Sequence, residues 1–363
     1  MPEFFESDTA LIDAFVAAVS AVPDSDAHIS GRETATGSHD RIDYVVDAHV
    51  AGKPMVMLVE TKQTAFPRDV RDVVWRLKAY RAELEKQGRG PVVSFVIAEA
   101  ISSGARELLR SEGVGYFDTG GSLFVPTPGA FVFIDRPARK NQARALGSIF
   151  HGRKAQVLLA LFDRRDGWVT VKEIAEASQV SPATASQTLT DVERRDWIQV
   201  RGSGPAKERR LSEPAAMVDA WVRYLAAQKP PQRRRYFVPA GGADELSRRL
   251  AQACQDQAAQ YAITGEAAAQ HYAPYLSSVS QVACRMLANA EAGRALAALD
   301  ARPVDSGWNL AIQETRSAAD LAQAETVDGL RLATPLQVYL DLQSGSGRAK
   351  EMADHLRRER LGV

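Results

Sequence analysis

Asp43, Asp47, Glu60 and Lys62 sit on two β-rich runs, 42–50 and 55–62, joined by Ala51-Gly52-Lys53-Pro54, which reads as a hairpin turn. With Gly52 and Lys53 as the central turn residues, Asp43 falls opposite Lys62 and Asp47 opposite Leu58. Side chains alternate along a strand, so both aspartates share a face with Glu60 and Lys62, and the pairing does not choose between them. Carboxylate oxygens are the ligands that hard divalent cations prefer, and a cation stabilises charge developing on a phosphodiester.

A second group of residues is suited to hydrogen bonding rather than catalysis. Ser181 reads as a helix N-cap and Pro182 as the first helical residue of a segment that continues to about Arg195. Val180, Ala185, Leu189 and Val192 supply its inward spacing, which leaves Ala183, Thr184, Ser186, Gln187 and Thr190 near the exposed N-terminal half. Such short polar side chains can approach base edges in the major groove, where Gln pairs with adenine and Ser or Thr serves either base type.

The elements that must position these residues follow. Ala155 to Phe162 is a buried first helix, Val171 to Ala177 a short second one, and Ser178-Gln179-Val180-Ser181 the turn into the third. After it, Trp197 to Arg201 is a strand, Gly202-Ser203-Gly204-Pro205 a turn, and Lys207 to Leu211 the returning strand. Order and spacing resemble the winged helix-turn-helix families of bacterial regulators. The resemblance implies a recognition helix carrying Ser181, Thr184, Ser186, Gln187 and Thr190 and a wing carrying Arg201, Lys207, Arg209 and Arg210, all directed at double-stranded DNA.

Charge agrees with that placement. The 363 residues carry 45 Lys and Arg against 45 Asp and Glu, but the balance is uneven along the chain. Residues 1–135 hold 13 basic against 20 acidic side chains, residues 136–235 hold 20 against 10, and residues 236–363 hold 12 against 15. A polyanion is therefore drawn to the middle. Basic clusters frame it: Arg136, Arg139, Lys140, Arg144, Arg153 and Lys154 before, Lys229, Arg233, Arg234 and Arg235 after. No apolar run is long enough to span a bilayer and the N-terminus lacks a secretory pattern, so a cytoplasmic protein without a membrane partner is expected. Cys254 and Cys284 are expected as small core residues.

An Asp at one strand's start followed by Glu-x-Lys at the next strand's end resembles the PD-(D/E)xK restriction-endonuclease-like superfamily. The downstream order agrees, with a helix over 67–87, a buried strand over 92–98, a helix over 103–112 and short strands at 116–118 and 122–125. The resemblance covers residues 9–135. It implies that Asp43 or Asp47 and Glu60 hold a divalent cation, usually Mg2+, and that Lys62 positions or activates the attacking water. Ile42 stands where the eponymous proline would precede Asp43.

The C-terminal segments Tyr261-Ala262-Ile263-Thr264-Gly265-Glu266 and Ala333-Thr334-Pro335-Leu336 through Leu342, with Gly347 to Glu351, resemble AbiEi-type antitoxins from about residue 155 onward. That layout looks like a nucleotidyltransferase fold, whose active members follow the strand-to-helix glycine turn with Asp-x-Asp. None stands in Gln281 to Leu287, so this domain is expected to be non-catalytic.

A multidomain α/β and α+β protein is expected: a restriction-endonuclease-like α/β domain at 1–140, a winged helix-turn-helix at 141–228 and a nucleotidyltransferase-like α/β domain at 229–363. The leading functional expectation is a bacterial transcriptional regulator that binds DNA as a homodimer and needs no cofactor to do so. Its alternatives are a Mg2+-dependent endonuclease and an antitoxin that holds a toxin protein.

Overall fold

The computed structural model describes residues 3–35, 41–86, 91–127, 130–137, 139, 142, 146, 149–345 and 347–363. Gln87, Lys140 and Arg144, which fall in the expectations above, lie outside them. The chain divides into two compact units, one from Met1–Ser148 with Glu193–Asp196, the other from Ile149–Val192 with Trp197–Val363.

The first unit runs α1 (Glu3–Ser20), β1 (Asp26–Ala35), β2 (Arg41–Val50), β3 (Lys53–Ala65), α2 (Pro67–Lys86), β4 (Val92–Ile101), α3 (Ser103–Ser111), β5 (Gly115–Asp118), β6 (Leu123–Thr127) and β7 (Ala130–Ile134). Its seven strands lie in the sheet in chain order. β3, β4 and β5 are parallel and the outer pairs antiparallel. Parallel neighbours need a crossover, and α2 and α3 supply the two. One sheet face packs Ile12, Phe15 and Val19 of α1 against Val46, Met57 and Phe95. The other packs Val70, Val73 and Leu77 of α2 and Leu109 of α3 against Leu58 and Val96.

Two features depart from the sequence reading. β1 and β7 were not expected. The hairpin turn is Ala51-Gly52, with φ of 50° and 72°, and not Gly52-Lys53. Left-handed backbone at both central residues is what a two-residue hairpin loop requires. Val50 therefore pairs with Lys53 and Asp47 with Val56, moving each partner by two residues and leaving the faces unchanged.

The second unit begins with α4 (Gly152–Asp163), α5 (Val171–Ser178), α6 (Pro182–Arg194), β8 (Ile198–Arg201), β9 (Glu208–Leu211) and α7 (Pro214–Ala226). Thr170 and Glu173 form a reciprocal capping box at the start of α5, and Gln179 ends that helix in left-handed conformation. It continues through β10 (Arg234–Phe237), α8 (Ala243–Asp256), β11 (Tyr261–Thr264), α9 (Gly265–Tyr272), β12 (Val282–Leu287), α10 (Ala290–Ala298), β13 (Arg302–Pro303), β14 (Leu310–Thr315), β15 (Glu325–Val327), β16 (Leu330–Leu332), α11 (Pro335–Gln343) and α12 (Arg348–Leu356). These strands form a mixed sheet in the order β13-β10-β14-β12-β11-β16-β15. At the β11 to α9 turn Gly265 has φ of 66°, and a Cβ there would meet that of Ala283 at 3.1 Å. One contiguous core joins α4, α6 and α7 to this sheet and its helices, running across the expected boundary at 228. Both cysteines are buried in it.

Candidate functional site

Two places in the chain gather the residues singled out above. In the first unit, continuing the β2–β3 register one step past Tyr44 and Val59 sets Asp43 opposite Glu60. The Thr61 backbone N–H and hydroxyl both donate to Asp43 Oδ2, at 2.8 and 2.9 Å. Glu60 is 3% exposed and accepts one bond, from Arg76 Nη2 at 3.3 Å. Burial, and then the nearby charge of Asp43, push the Glu60 carboxyl up to about 7, against the opposing pull of Arg76 and Lys62. Lys62 is half-buried, two residues along the same face, and makes no hydrogen bond or ion pair among the described residues.

Asp47 does not join this group. Four residues along the strand carry it about 13 Å away, and it stands half-exposed beside His28 at 3.9 Å. Of the two aspartates, Asp43 is the one that lies beside Glu60. A further acid lies close to the cluster. Asp8, near the start of α1, is raised by burial and by the charge of Asp43, with Lys62 opposing, so its carboxylate shares the field of the cluster. An Asp in the first turns of an amphipathic helix reads as a favourable dipole contact, and nothing in its spacing distinguished it.

Among the described residues no three His, Cys, Asp or Glu side chains are grouped to hold a metal ion. The donor set that fits is the pair Asp43 and Glu60. Mg2+ keeps several waters and commonly takes only one or two carboxylates, so two hard oxygen donors with an uncompensated charge match that ion. On α2, Arg76 pairs with Glu60 and Lys78 with Glu112.

In the second unit Ser181 caps α6, its Oγ accepting the Thr184 N–H at 3.2 Å and sharing a hydrogen bond with the Thr184 hydroxyl at 2.9 Å. Ala185, Leu189 and Val192 are buried, while Ser181, Ala183, Gln187 and Thr190 are exposed. Thr190 donates its hydroxyl back to the Ser186 carbonyl at 3.0 Å, so it offers solvent only an acceptor. Ser186 is half-buried. Gln187 makes no hydrogen bond among the described residues and presents a whole carboxamide, donor and acceptor side by side.

The β8–β9 hairpin is closed by Gly202, whose φ is 73° and where a Cβ would lie 2.6 Å from the Ala206 carbonyl oxygen. Arg201 pairs with Glu208 at 2.5 Å and Arg210 donates to Gln199 at 2.8 Å. Both guanidinium groups lie over the Trp168 ring, at 4.4 and 5.2 Å from its centroid. Lys207 is half-exposed. Arg209, expected with them at the surface, is 4% exposed. Its backbone bridges Val169 in both directions, at 2.8 and 2.9 Å, which turns its side chain inward. This is a correction, since strand alternation puts residues 208 and 210 outward and 209 in.

No family model matches the sequence, and no curated protein matches it. Among solved structures the chain is similar to one in an EndoMS complex with double-stranded DNA, with 18% identity and a TM-score of 0.24 over 33% of this chain and 45% of that one. It is similar at the same TM-score to a repair endonuclease from Pyrococcus abyssi, with 17% identity over 33% of this chain and 47% of that one. Each match spans less than half of the neighbour's length. No helix among the described residues is long and apolar enough to cross a membrane.

Proposed function

We propose that this chain is a sequence-reading DNA-binding protein that works as a winged helix-turn-helix regulator, with α6 as the reading helix. The observation that carries this reading is Gln187, an unengaged carboxamide on the exposed face of a helix whose other face is fixed in the core. A carboxamide so placed can bond adenine N6 and N7 together. Ser181, Thr184, Ser186 and Thr190 surround it with small groups that do not obstruct a groove. Arg201 and Arg210, held over Trp168, offer guanidinium groups to phosphate, and Lys207 adds a third cation. Arg209 has no part in that surface. The protein binds as a homodimer on two half-sites, the usual arrangement for such readers.

The test is fluorescence anisotropy with a duplex selected from a random pool and with an unselected duplex. Gln187→Ala weakens the selected site by about 1–3 kcal/mol and leaves the other within error. Equal losses on both would remove α6 as the reader.

A second reading is favoured by one observation, the uncompensated Glu60 carboxyl beside Asp43 and Lys62. In it the first unit cleaves DNA. Asp43 and Glu60 hold magnesium, which supplies Lewis-acid stabilisation of charge on the phosphodiester. Lys62, which makes no hydrogen bond or ion pair among the described residues, orients the attacking water. Supercoiled plasmid incubated with Mg2+, with Mn2+ and with chelator decides between the two readings. Metal-dependent nicking that Glu60→Ala/Lys62→Ala lacks makes the protein a nuclease, whereas intact plasmid in every lane leaves binding as its activity.

A further inference from the structure

The second unit holds a cleft of about 780 Å³ that neither reading uses. Its size is that of a small-molecule site. One wall is aromatic: Phe150 lies 5.5 Å from the rings of both Trp221 and Tyr224. The floor is polar and comes from the sheet, where Arg285 of β12 and Gln313 of β14 are direct partners in register and point to the same face.

The bonding of that floor is unequal. Arg285 spends Nε and Nη2 on Asp341, at 2.8 and 2.5 Å, and its Nη1 has no partner among the described residues. Asp341 is saturated, taking further bonds from Thr264 at 2.6 Å and Gln337 at 2.9 Å. Gln313 is different. Its Oε1 is buried with no hydrogen-bond partner, and its amide nitrogen has none among the described residues either. The two ends of a carboxamide exchange by a simple flip. The buried oxygen stays unmet, which costs stability, while the amide nitrogen is an unengaged donor open to an acceptor.

Charge selects the class of ligand. Lys229 and Lys350 line the cleft, are exposed and make no ion pair among the described residues. Asp341 is neutralised by Arg285, and the remaining acid in the lining, Asp320, accepts from Gln156 at 3.4 Å. The cleft therefore offers an apolar ring surface, two adjacent N–H donors and an excess of positive charge.

We propose that this cleft binds a small aromatic carboxylate, its ring against Phe150 and Tyr224 and its carboxylate taken by Arg285 Nη1 and the Gln313 amide. The site is independent of the DNA reading and of the Asp43–Glu60 cluster.

The test titrates the full chain with 2-naphthoate and with 2-naphthamide, its uncharged isostere, following tryptophan fluorescence and the melting temperature. Naphthoate saturates and raises the melting temperature, and naphthamide binds at least about tenfold more weakly, the difference expected for hydrogen bonds to a charged group. Gln313→Leu removes the unsatisfied group, so it melts at or above the wild type yet loses affinity by about tenfold. Gln313→Glu sets a like charge beside the ligand and abolishes binding. Lys350→Gln, on an exposed helix position that the fold does not need, weakens naphthoate and leaves naphthamide alone. Failure of naphthoate to saturate at millimolar concentration, equal binding of acid and amide, or wild-type affinity in Gln313→Leu would each overturn the proposal.

Discussion

Two buried carboxylates in this chain meet opposite fates. Asp341 would be raised by burial, but Arg285 first, and then Thr264 and Arg233, more than offset it and hold the acid below its ordinary range. Glu60 is buried to a similar degree, yet its one hydrogen bond, from a partly exposed guanidinium at 3.3 Å, does not compensate it, and the neighbouring charge of Asp43 adds to the strain. The difference separates a charge that the fold uses from one that the fold merely tolerates. A buried ion pair with all its lone pairs met is part of the architecture. A buried acid left short of partners beside a second acid is a place where an outside cation would be stabilising, and perturbed carboxyls of that kind concentrate at functional sites.

Breaking the compensated pair has the largest expected effect. Arg285→Met leaves Asp341 buried and alone and costs about 3–5 kcal/mol in urea denaturation, whereas Arg285→Met/Asp341→Leu recovers most of it. If the double variant is no more stable than the single, the pair is not what makes Asp341 tolerable. Because the folded pKa of Asp341 lies below 3.8, its contribution is present above that pH and fades as acid is added through the folded value.

Glu60 has the reverse sign. Its folded pKa of about 7 exceeds the ordinary 4.5, so the folded state holds a proton that the unfolded state gives up, and stability falls as pH rises through that window. Glu60→Gln removes the penalty. It is expected to stabilise the protein by something on the order of 3 kcal/mol at roughly pH 8 and by nothing near pH 4. A gain independent of pH would mean that packing, not charge, is responsible.

The smallest effect sharpens the contrast. Arg76 is a single, partly exposed partner of Glu60, so Arg76→Gln should cost only about 0.5–1 kcal/mol above neutral pH. It should also move the Glu60 titration, followed by carboxyl NMR, further upward. A loss as large as that of Arg285→Met would make Arg76 a true compensating partner and put Glu60 in the same class as Asp341.

How much of this could be read from sequence depended on the range over which each feature is determined. The helix, turn, helix and hairpin order of 152–211 was legible because its signals are local: the Ser181-Pro182 start, the apolar spacing of Ala185, Leu189 and Val192, and the glycine at 202. Glu60 and Lys62 were legible as a pair for the same reason, two positions apart on one strand. β1 was not, since it holds Gly31 and a bulge between Ile29 and Gly31 that break its alternation. The hairpin register was misjudged by two because Ala51 adopts a conformation more typical of glycine or asparagine, so composition pointed to the wrong turn residues. Arg209 was placed outside because a basic residue in a hairpin looks solvated, and only its pairing with Val169 fixes which way it faces. The Arg285–Asp341 pair joins residues 56 apart and left no local trace.

The uninterrupted core that runs from Ile149 past the Pro230-Pro231 segment to Leu361 bears on modularity. A reading helix mounted on an independent cassette could be exchanged between proteins or excised for study. Here α4 and α7 bury side chains that the C-terminal sheet and its helices also cover, so a fragment ending near 228 would exchange that cover for water. The second unit is expected to melt in a single transition and to protect its amides as one. A change deep in the sheet is therefore felt, energetically, by the helix that would meet DNA.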